Sequence, residues 1–400
     1  MIDMSVTQHA TTHEFVNEHA QKLLDLVRGY MSPADVEQVA QAYRLAQAAC
    51  GETHGQKQLT LIEHALAVTI ILAEMHIDAI GVVSGLVFEP VDAELLPLEQ
   101  VETALGVPVA RVVGSMQRMN ILERKKQSMA QEHKAVNGEG DSTREQKKQR
   151  IREALRRQQA ETVRKMFFAM SEDPRVVLLK LAYRLHAMRL IVLKQYPVDP
   201  QEILTMAQET REIYAPLAGR LGMSRVESEL DDLAFEVLEP DKFAWAREQV
   251  EMERSQWSAY VERVCDILRE EMGKLGLRAE VSGRVKHLYS FYKKVLRTAG
   301  EVERLDDLKA TADLSQIHDL IAFRILVEST PDCYLALGHV HSLWKPKDGR
   351  IKDFIANPKP NGYRALHTTV FCLDNQLVEI QIRTFSMHEM AEYGVAMHWH

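Results

Sequence analysis

The chain has 400 residues, of which 46% are hydrophobic and 26% are charged, and its formal net charge is -8 at pH 7. These values are ordinary for a globular protein of two or three domains, and they argue against a protein that coats nucleic acid through general positive charge. The N-terminal segment lacks a signal-peptide pattern, and no apolar run is long enough to span a membrane. The four cysteines are widely spaced, without metal-site or disulfide spacing, which predicts reduced thiols and a cytoplasmic location.

Residues 13 to about 195 are predicted to form successive helices, because apolar residues recur every three or four positions. The segments "LIEHALAVTIILAEM" and "VVLLKLAYRLHAMRLIVL" show this pattern most clearly. Between them, residues 123–161 are highly charged and contain Asn-Gly and Gly-Asp-Ser near their centre, which predicts a mobile excursion flanked by solvated helix ends. Its interspersed acidic residues favour that interpretation over a basic nucleic-acid tail. Helices are predicted to continue from about residue 200 to residue 276.

The pattern then changes to strands that alternate with helices. The segments "RAEVSG", "HDLIAFRILV", "HTTVFCL" and "LVEIQIRT" are typical of strands, whereas "VKHLYSFYKKVLR" and "MHEMAEYGVAMHW" are typical of helices. An all-helical part followed by mixed strands and helices predicts an α domain and then an α/β domain.

Two predicted strands carry acidic residues that indicate chemistry. Alternation along "LVEIQIRT" puts Glu379, Gln381 and Arg383 on one face, which fits either a solvated face or the wall of a site. The uncharged positions of "HDLIAFRILV" are apolar on both faces, so Asp319 needs a partner or a metal ion. A structural ion pair with Arg324 is one interpretation. The other is a Mg²⁺ site that Asp319 shares with a second carboxylate, because Mg²⁺ takes one or two carboxylates together with phosphate oxygens.

Basic residues supply the complementary charge. One face of the helix in "VKHLYSFYKKVLR" carries Lys286, Ser290, Lys294 and Arg297, and "KPKDGRIKDF" adds four further cations. Such faces are usually only solvated, but the N-terminus of a helix that follows a strand can also receive phosphate. Several phosphates and a metal ion would fit phosphoryl transfer, and neither a P-loop nor a kinase-type glycine loop is present.

Five segments in a fixed order resemble the RelA/SpoT family of (p)ppGpp synthetases and hydrolases: "GRVKHLYSFYKK", "HDLIAFR", "GRIKDFIANPKPNGYRALHTTV", "VEIQIRT" and "MHEMAEYGVAMHW". The resemblance runs from about residue 40 to His400. It implies a helical HD-type domain over residues 1–195, connecting helices over 196–245, and a synthetase domain over 246–400. That synthetase domain would have a nucleotidyltransferase-like, mixed β-sheet flanked by helices. The implied reaction transfers pyrophosphate from ATP to the 3′-OH of GDP or GTP and releases AMP, in the stringent response.

The resemblance also implies roles for individual residues. Asp319 and Glu379 would hold Mg²⁺, and Glu379 is in addition a candidate general base. Tyr363 would stack on guanine. The residues implied to bind ATP are Arg284, Lys286, His287, Ser290 and Lys294, and those implied around GDP or GTP are Arg350, Lys352, Lys359, Asn361, Tyr363, His367, Gln381 and Arg383.

The helical domain departs from the family at its metal site. The hydrolases of the family bind Mn²⁺ through two histidines and two aspartates. His64 matches the first ligand, but Phe88 and Glu89 replace the His-Asp pair and Tyr183 replaces the last Asp. Because Phe has no lone pair and neutral Tyr is a poor ligand for a hard ion, we expect no bound Mn²⁺ and no hydrolase activity. His64 is then predicted to be a satisfied core histidine.

Two other functions stay open at this point: a regulatory protein that binds nucleotides without turnover, and a hydrolase with a rearranged site. Long members of the family continue into regulatory domains that sense the ribosome. The resemblance therefore implies a ribosomal or other regulatory partner if the natural chain is longer. The sequence indicates neither the oligomeric state nor the preference between GDP and GTP.

Overall fold

The computed structural model describes residues 4–51, 60–136, 164, 172–196, 199–285, 287–299, 305–311 and 321–399. Asp319, Lys286 and most of the predicted charged excursion lie outside these residues. The chain divides into two compact units, Met1–Asp199 together with His398–His400, and Pro200–Met397. Within the described ranges, no helix is both long enough and apolar enough to cross a membrane.

The first unit is helical throughout its described elements. Its helices are α1 (Met4–Arg28), α2 (Pro33–Cys50), α3 (Leu61–Glu74), α4 (Ala79–Asp92), α5 (Leu98–Leu105), α6 (Val107–Val136) and α7 (Arg175–Val192).

Local signals fix where the central helices of this unit begin. Thr60 and Glu63 form a reciprocal capping box at the start of α3. Asp78 accepts a hydrogen bond from the Gly81 amide at the start of α4. The Nε and Nη2 atoms of Arg175 also donate to the Asp78 carboxylate. Most residues of α3 and α4 are buried. These two helices therefore form the centre of the unit, as expected of helices that are apolar all round.

The second unit starts with helices and ends with a sheet. Its helices are α8 (Pro200–Glu209), which continues through a π-helical turn (Thr210–Tyr214) into α9 (Ala215–Arg220), then α10 (Ser224–Leu238), α11 (Pro240–Lys274), α12 (Leu288–Ala299), α13 (Leu305–Thr311), α14 (Thr330–Leu343) and α15 (Phe385–Tyr393). Short 3₁₀ turns cover Leu373–Asn375 and Gly394–Trp399.

The sheet has five described strands: β1 (Glu280–Val285), β2 (Ile321–Val327), β3 (Lys352–Asp353), β4 (Leu366–Phe371) and β5 (Leu377–Thr384). Their order is β1-β2-β5-β4-β3, in which β2 and β5 are parallel and the other neighbours are antiparallel. The predicted fold class, a helical part followed by a mixed sheet flanked by helices, is confirmed.

The two faces of the sheet differ in character. Phe323, Ile325, Ile380 and Ile382 lie on one face and are fully buried in a core with α11 and α14. The opposite face carries Glu379, Gln381 and Arg383, as the alternation along β5 predicts. The apolar face anchors the sheet, so the polar face is available for a site.

Candidate functional site

A row of polar residues crosses this second face from one edge of the sheet to the other. Strand register aligns Ser282 with Arg324, Arg324 with Gln381, Gln381 with His367, and His367 with Lys352. Each of the five strands contributes one residue to this polar row. In the adjacent row, Glu379 lies between Ala322 and Thr369, and the backbone of Arg284 pairs with Ala322. The sheet thus brings residues from distant parts of the sequence onto one surface.

Glu379 is held at its place on this face by two neighbours. Its Oε1 accepts a hydrogen bond from Gln381 Nε2 at 2.7 Å and lies 3.4 Å from His367 Nδ1. The other ring nitrogen of His367, Nε2, lies 2.8 Å from the Tyr363 hydroxyl. The carboxylate side chain is 26% exposed, so it remains accessible to a ligand. A connected chain therefore joins an aromatic ring, an imidazole and a carboxylate.

The ring of Tyr363 lies among two cations and another aromatic residue. Lys359 Nζ is 4.8 Å from the centre of the Tyr363 ring and 4.9 Å from that of Phe354. Arg383 Cζ is 5.8 Å from the Tyr363 ring. Phe354 contacts both Tyr363 and His367 edge-on. These cation–π and edge contacts fix the ring before any ligand binds. Phe354 was missed by the sequence interpretation, although its aromatic side chain lies inside the quoted motif.

The loop that carries Tyr363 is held by its own hydrogen bonds. Asn361 Oδ1 accepts from the Tyr363 amide at 3.3 Å, and Asn361 Nδ2 donates to the Gly219 carbonyl of α9 at 3.0 Å. Gly362, at φ +78°, allows the turn in which its amide donates to the Lys359 carbonyl. Both polar ends of the Asn361 side chain are therefore used within the protein, and its predicted contact with a nucleotide stays a prediction.

Arg383 is buried rather than open to solvent, with a side chain that is 2% exposed. Its Nη2 donates to His388 Nδ1 at 2.7 Å and lies 3.4 Å from Glu392 Oε1, both on α15. Arg324 Nη2 lies 3.6 Å from the same Glu392 oxygen. The carboxylate of Glu392 thus neutralises the buried Arg383 and the partly buried Arg324, a role that the sequence interpretation missed. Arg383 lies beneath the ring of Tyr363. Its predicted contact with a nucleotide stays a prediction.

The N-terminus of α12, for which the sequence leaves both a solvated face and a phosphate site open, contacts a carboxylate of α10. The Tyr289 amide donates to Asp232 Oδ1 at 2.8 Å, and His287 Nδ1 lies 3.4 Å from Asp232 Oδ2. One turn further along, Lys293 binds Asp231 at 3.2 Å. Burial raises the pKa of Asp231, and Lys293 partly offsets that rise.

The remaining predicted nucleotide ligands are placed as follows. Ser290 is exposed and Lys294 is half-buried on α12. Arg350, just before β3, and Lys352, within β3, are both exposed. The described part of the chain does not include Asp319. Within that part, no group of three or more His, Cys, Asp or Glu side chains could hold a metal ion.

The four residues predicted at the altered metal site do meet in the first unit. His64 Nδ1 lies 2.7 Å from Glu89 Oε1, and the ring of His64 packs 5.6 Å from that of Tyr183. Phe88 contacts Tyr183 edge-on at 5.3 Å. His64 is buried as predicted, but its Nε2 has no hydrogen-bond partner among the residues that the structure describes, so only one of its two nitrogens is satisfied.

Burial raises the pKa of Tyr183 well above its ordinary value, and the negative charge of Glu89 raises it further. Tyr183 is therefore a neutral phenol at physiological pH. Burial, with Glu89 again adding to it, also raises the pKa of Cys50 to about 12. His186, whose ring lies 4.9 Å from that of His64, joins the same cluster. The sequence interpretation missed Cys50 and His186, because only the fold brings α2 and the second half of α7 to this point.

Comparison with known proteins identifies two matching family models. Residues 42–224 match an HD domain, and residues 283–400 match the region found in RelA / SpoT proteins. The GTP pyrophosphokinase of Myxococcus xanthus is 39% identical over 336 residues, which are 84% of this chain and 39% of that protein. The bifunctional (p)ppGpp synthase/hydrolase SpoT of Escherichia coli is 34% identical over 95% of this chain and 48% of its own length.

A solved structure, the small alarmone synthetase 1 of Bacillus subtilis bound to its product pppGpp, is 23% identical and covers 38% of this chain and 82% of that one. The TM-score is 0.29, a value that supports no argument. The chain spans less than half the length of both curated relatives.

Proposed function

Because the chain belongs to the RelA/SpoT family, with an HD domain followed by a synthetase region, we propose that it makes (p)ppGpp. In this proposal it transfers the pyrophosphate of ATP to the 3′-OH of GDP or GTP and releases AMP, in the stringent response. The observation that carries the proposal is the connected chain of Tyr363, His367 and Glu379 on the polar face of the sheet. It links an aromatic platform suited to a purine with an accessible carboxylate suited to an acid–base step.

The chemistry assigned to these residues is simple. Tyr363 stacks on guanine and fixes the ribose near Glu379, which accepts the proton of the 3′-hydroxyl as its oxygen attacks the β-phosphorus of ATP. The bond between that phosphorus and the oxygen bridging to the α-phosphate breaks, and AMP leaves with the bridging oxygen. Lys359 and the exposed cations beside β3 supply charge for the phosphates.

A magnesium ion suits this site, since the Glu379 carboxylate is an accessible oxygen donor of the kind that Mg²⁺ prefers. When bound, it would neutralise charge on the phosphates. Glu379 would hold it together with Asp319, whose assignment follows from the family pattern because Asp319 lies outside the described residues.

We further propose that the first unit has no hydrolase activity and binds no Mn²⁺. Apolar Phe88 and neutral, buried Tyr183 support this, since neither is a useful ligand for a hard divalent ion. The His64 nitrogen nearest to Glu89 is also engaged by that carboxylate. Incubation with ppGpp and Mn²⁺ should release no pyrophosphate, and clear release would support the alternative of a rearranged hydrolase. The four buried cysteines support a cytoplasmic location.

The decisive experiment combines the chain with Mg²⁺, labelled ATP and GDP or GTP, and measures AMP and the 3′-pyrophosphorylated product. Asp319→Ala and Glu379→Ala should each abolish product formation while the circular dichroism spectrum stays native. Tyr363→Ala should raise KM for the guanosine nucleotide much more than KM for ATP. Nucleotide binding without any AMP release would instead favour a regulatory binding protein.

A further inference from the structure

The turn between α9 and α10 lies directly against the loop that carries Tyr363. At its centre, Gly222 adopts φ +77°, and a Cβ atom placed there would lie 3.2 Å from the Asn361 carbonyl oxygen and 3.3 Å from Gly394 Cα. Contacts at this distance are tighter than ordinary van der Waals packing and involve backbone atoms that cannot rotate away. A side chain at position 222 would therefore strain the backbone and push on both neighbouring segments.

Asn361 ties the same loop to α9 through its side chain. Its amide nitrogen donates to the Gly219 carbonyl, and its oxygen accepts from the Tyr363 amide. One side chain thus connects the last turn of α9 with the backbone of the residue that carries the aromatic ring.

The turn is also attached to the end of α15. The Val395 amide donates to the Leu221 carbonyl at 3.0 Å, and the Ser224 hydroxyl donates to the Ala391 carbonyl. A Cβ atom on Gly394 would collide with the Leu221 carbonyl oxygen. The turn therefore contacts both the loop of Tyr363 and the helix whose Glu392 neutralises Arg383 beneath the Tyr363 ring.

We propose that the α9–α10 turn, residues Arg220–Ser224, positions the guanosine-binding loop, and that Asn361 acts as a positioning residue within it. This inference rests on the proposed function. The turn lies outside residues 283–400, which match the synthetase region, and at the end of residues 42–224, which match the HD domain. A segment from outside the synthetase match thus sets the affinity for the acceptor nucleotide. The reason is that a loop held in its binding conformation loses less entropy when the ligand arrives.

Gly222→Ala is the primary test, with Gly276→Ala as its matched control. Gly276 has φ +71° at the end of α11, but no atom lies within 4 Å of the Cβ position. Both variants therefore place alanine at a positive φ, and only the first also pushes on the loop. We expect Gly222→Ala to raise KM for GDP about fivefold or more, as for the loss of one hydrogen bond. KM for ATP and kcat should stay within about twofold of the wild type, and Gly276→Ala should leave all three unchanged.

The double variant separates positioning from direct contact with the nucleotide. If Asn361 and Gly222 act through the position of one loop, Gly222→Ala with Asn361→Ala should raise KM for GDP no more than the worse single variant does. Multiplying effects would show that Asn361 is an independent ligand and would overturn its positioning role. Equal behaviour of Gly222→Ala and Gly276→Ala would overturn the role of the turn.

Binding of GDP by isothermal titration calorimetry keeps the inference separate from the proposed reaction. If the wild type binds GDP but forms no product, the proposed function fails, and the dissociation constants of the same variants still decide the inference. If the wild type binds no GDP, both fail. If Gly222→Ala does not fold, Asn361→Ala takes its place and should raise KM for GDP. Asn361→Asp keeps the acceptor for the Tyr363 amide, so it should raise KM for GDP less than Asn361→Ala does. That pattern supports the inference. An unchanged KM overturns it.

Discussion

Replacing Glu392 with Gln should destabilise the second unit by about 2 kcal/mol. The change keeps the size of the side chain and one acceptor oxygen, but it removes the charge shared by Arg383 and Arg324. Removing one partner of a fully buried ion pair costs about 3–5 kcal/mol. Here the distances of 3.4 and 3.6 Å are longer than in an ideal pair, and the Glu392 side chain is 23% exposed. We therefore expect a value below that range.

Tryptophan fluorescence measures this loss selectively. Three of the four tryptophans of the sequence, Trp245, Trp257 and Trp344, lie in the second unit, and residues 1–199 contain none, so the signal comes mainly from the second unit. For a unit of this size, a loss of about 2 kcal/mol should lower the melting temperature by about 4–8 °C. Glu389→Gln is the matched control, because Glu389 is an exposed residue on the same helix.

The result that would refute the reasoning is equal stability of Glu392→Gln and Glu389→Gln. It would mean that solvent or another group neutralises the two arginines as well as Glu392 does. A loss well above 4 kcal/mol would instead show that the pair is more strongly buried than the 23% exposure of Glu392 indicates.

Three further predictions concern other parts of the molecule. Asp78→Ala should destabilise the first unit by about 3 kcal/mol, because it removes both the cap of α4 and the ion pair with Arg175. Circular dichroism at 222 nm measures this loss of stability. Asp78→Ser keeps a capping oxygen and should lose less stability, and equal losses for the two variants would contradict the role of the cap. Glu227→Gln should raise the melting temperature at pH 8, because burial first and Asp231 next raise the pKa of Glu227 in the folded state, so its charged form destabilises the protein above the ordinary carboxyl pKa. That gain should shrink as the pH falls toward 4, and a loss of stability at pH 8 would contradict it. The native chain should resist alkylation by iodoacetamide at pH 8, and four thiols should react after denaturation. The reason is that burial raises the pKa of all four free cysteines, Cys50, Cys265, Cys333 and Cys372. Rapid labelling of the folded protein would contradict their burial.

Much of the fold follows from local patterns in the sequence. The alternation along β5 correctly assigns Ile380 and Ile382 to the core and Glu379 to the opposite face. The apolar character of β2 correctly indicates an inner strand, which lies between β1 and β5. These features are predictable because the period of a strand is set by its own backbone.

The contacts between elements are harder to predict from the sequence than the elements themselves. Asp232 lies 57 residues before Tyr289 in sequence, and nothing local indicates that its carboxylate caps α12. The same holds for Glu392, which neutralises Arg324 across a separation of 68 residues. Such pairings depend on how helices pack against the sheet, and a linear motif carries no information about that packing.

The edge of the sheet beyond β4 has a consequence for how the protein behaves at high concentration. β3 pairs with β4 over only two residues, and a separate bridge at Pro346 covers the rest of that side of β4. There the Lys347 amide donates to the Thr369 carbonyl, and the Lys345 carbonyl accepts from the Phe371 amide. Short, interrupted and lysine-rich coverage offers no continuous template on which another chain could add a strand. The surface next to the loop of Tyr363 is thereby protected from intermolecular β-pairing, and it can stay exposed without promoting aggregation.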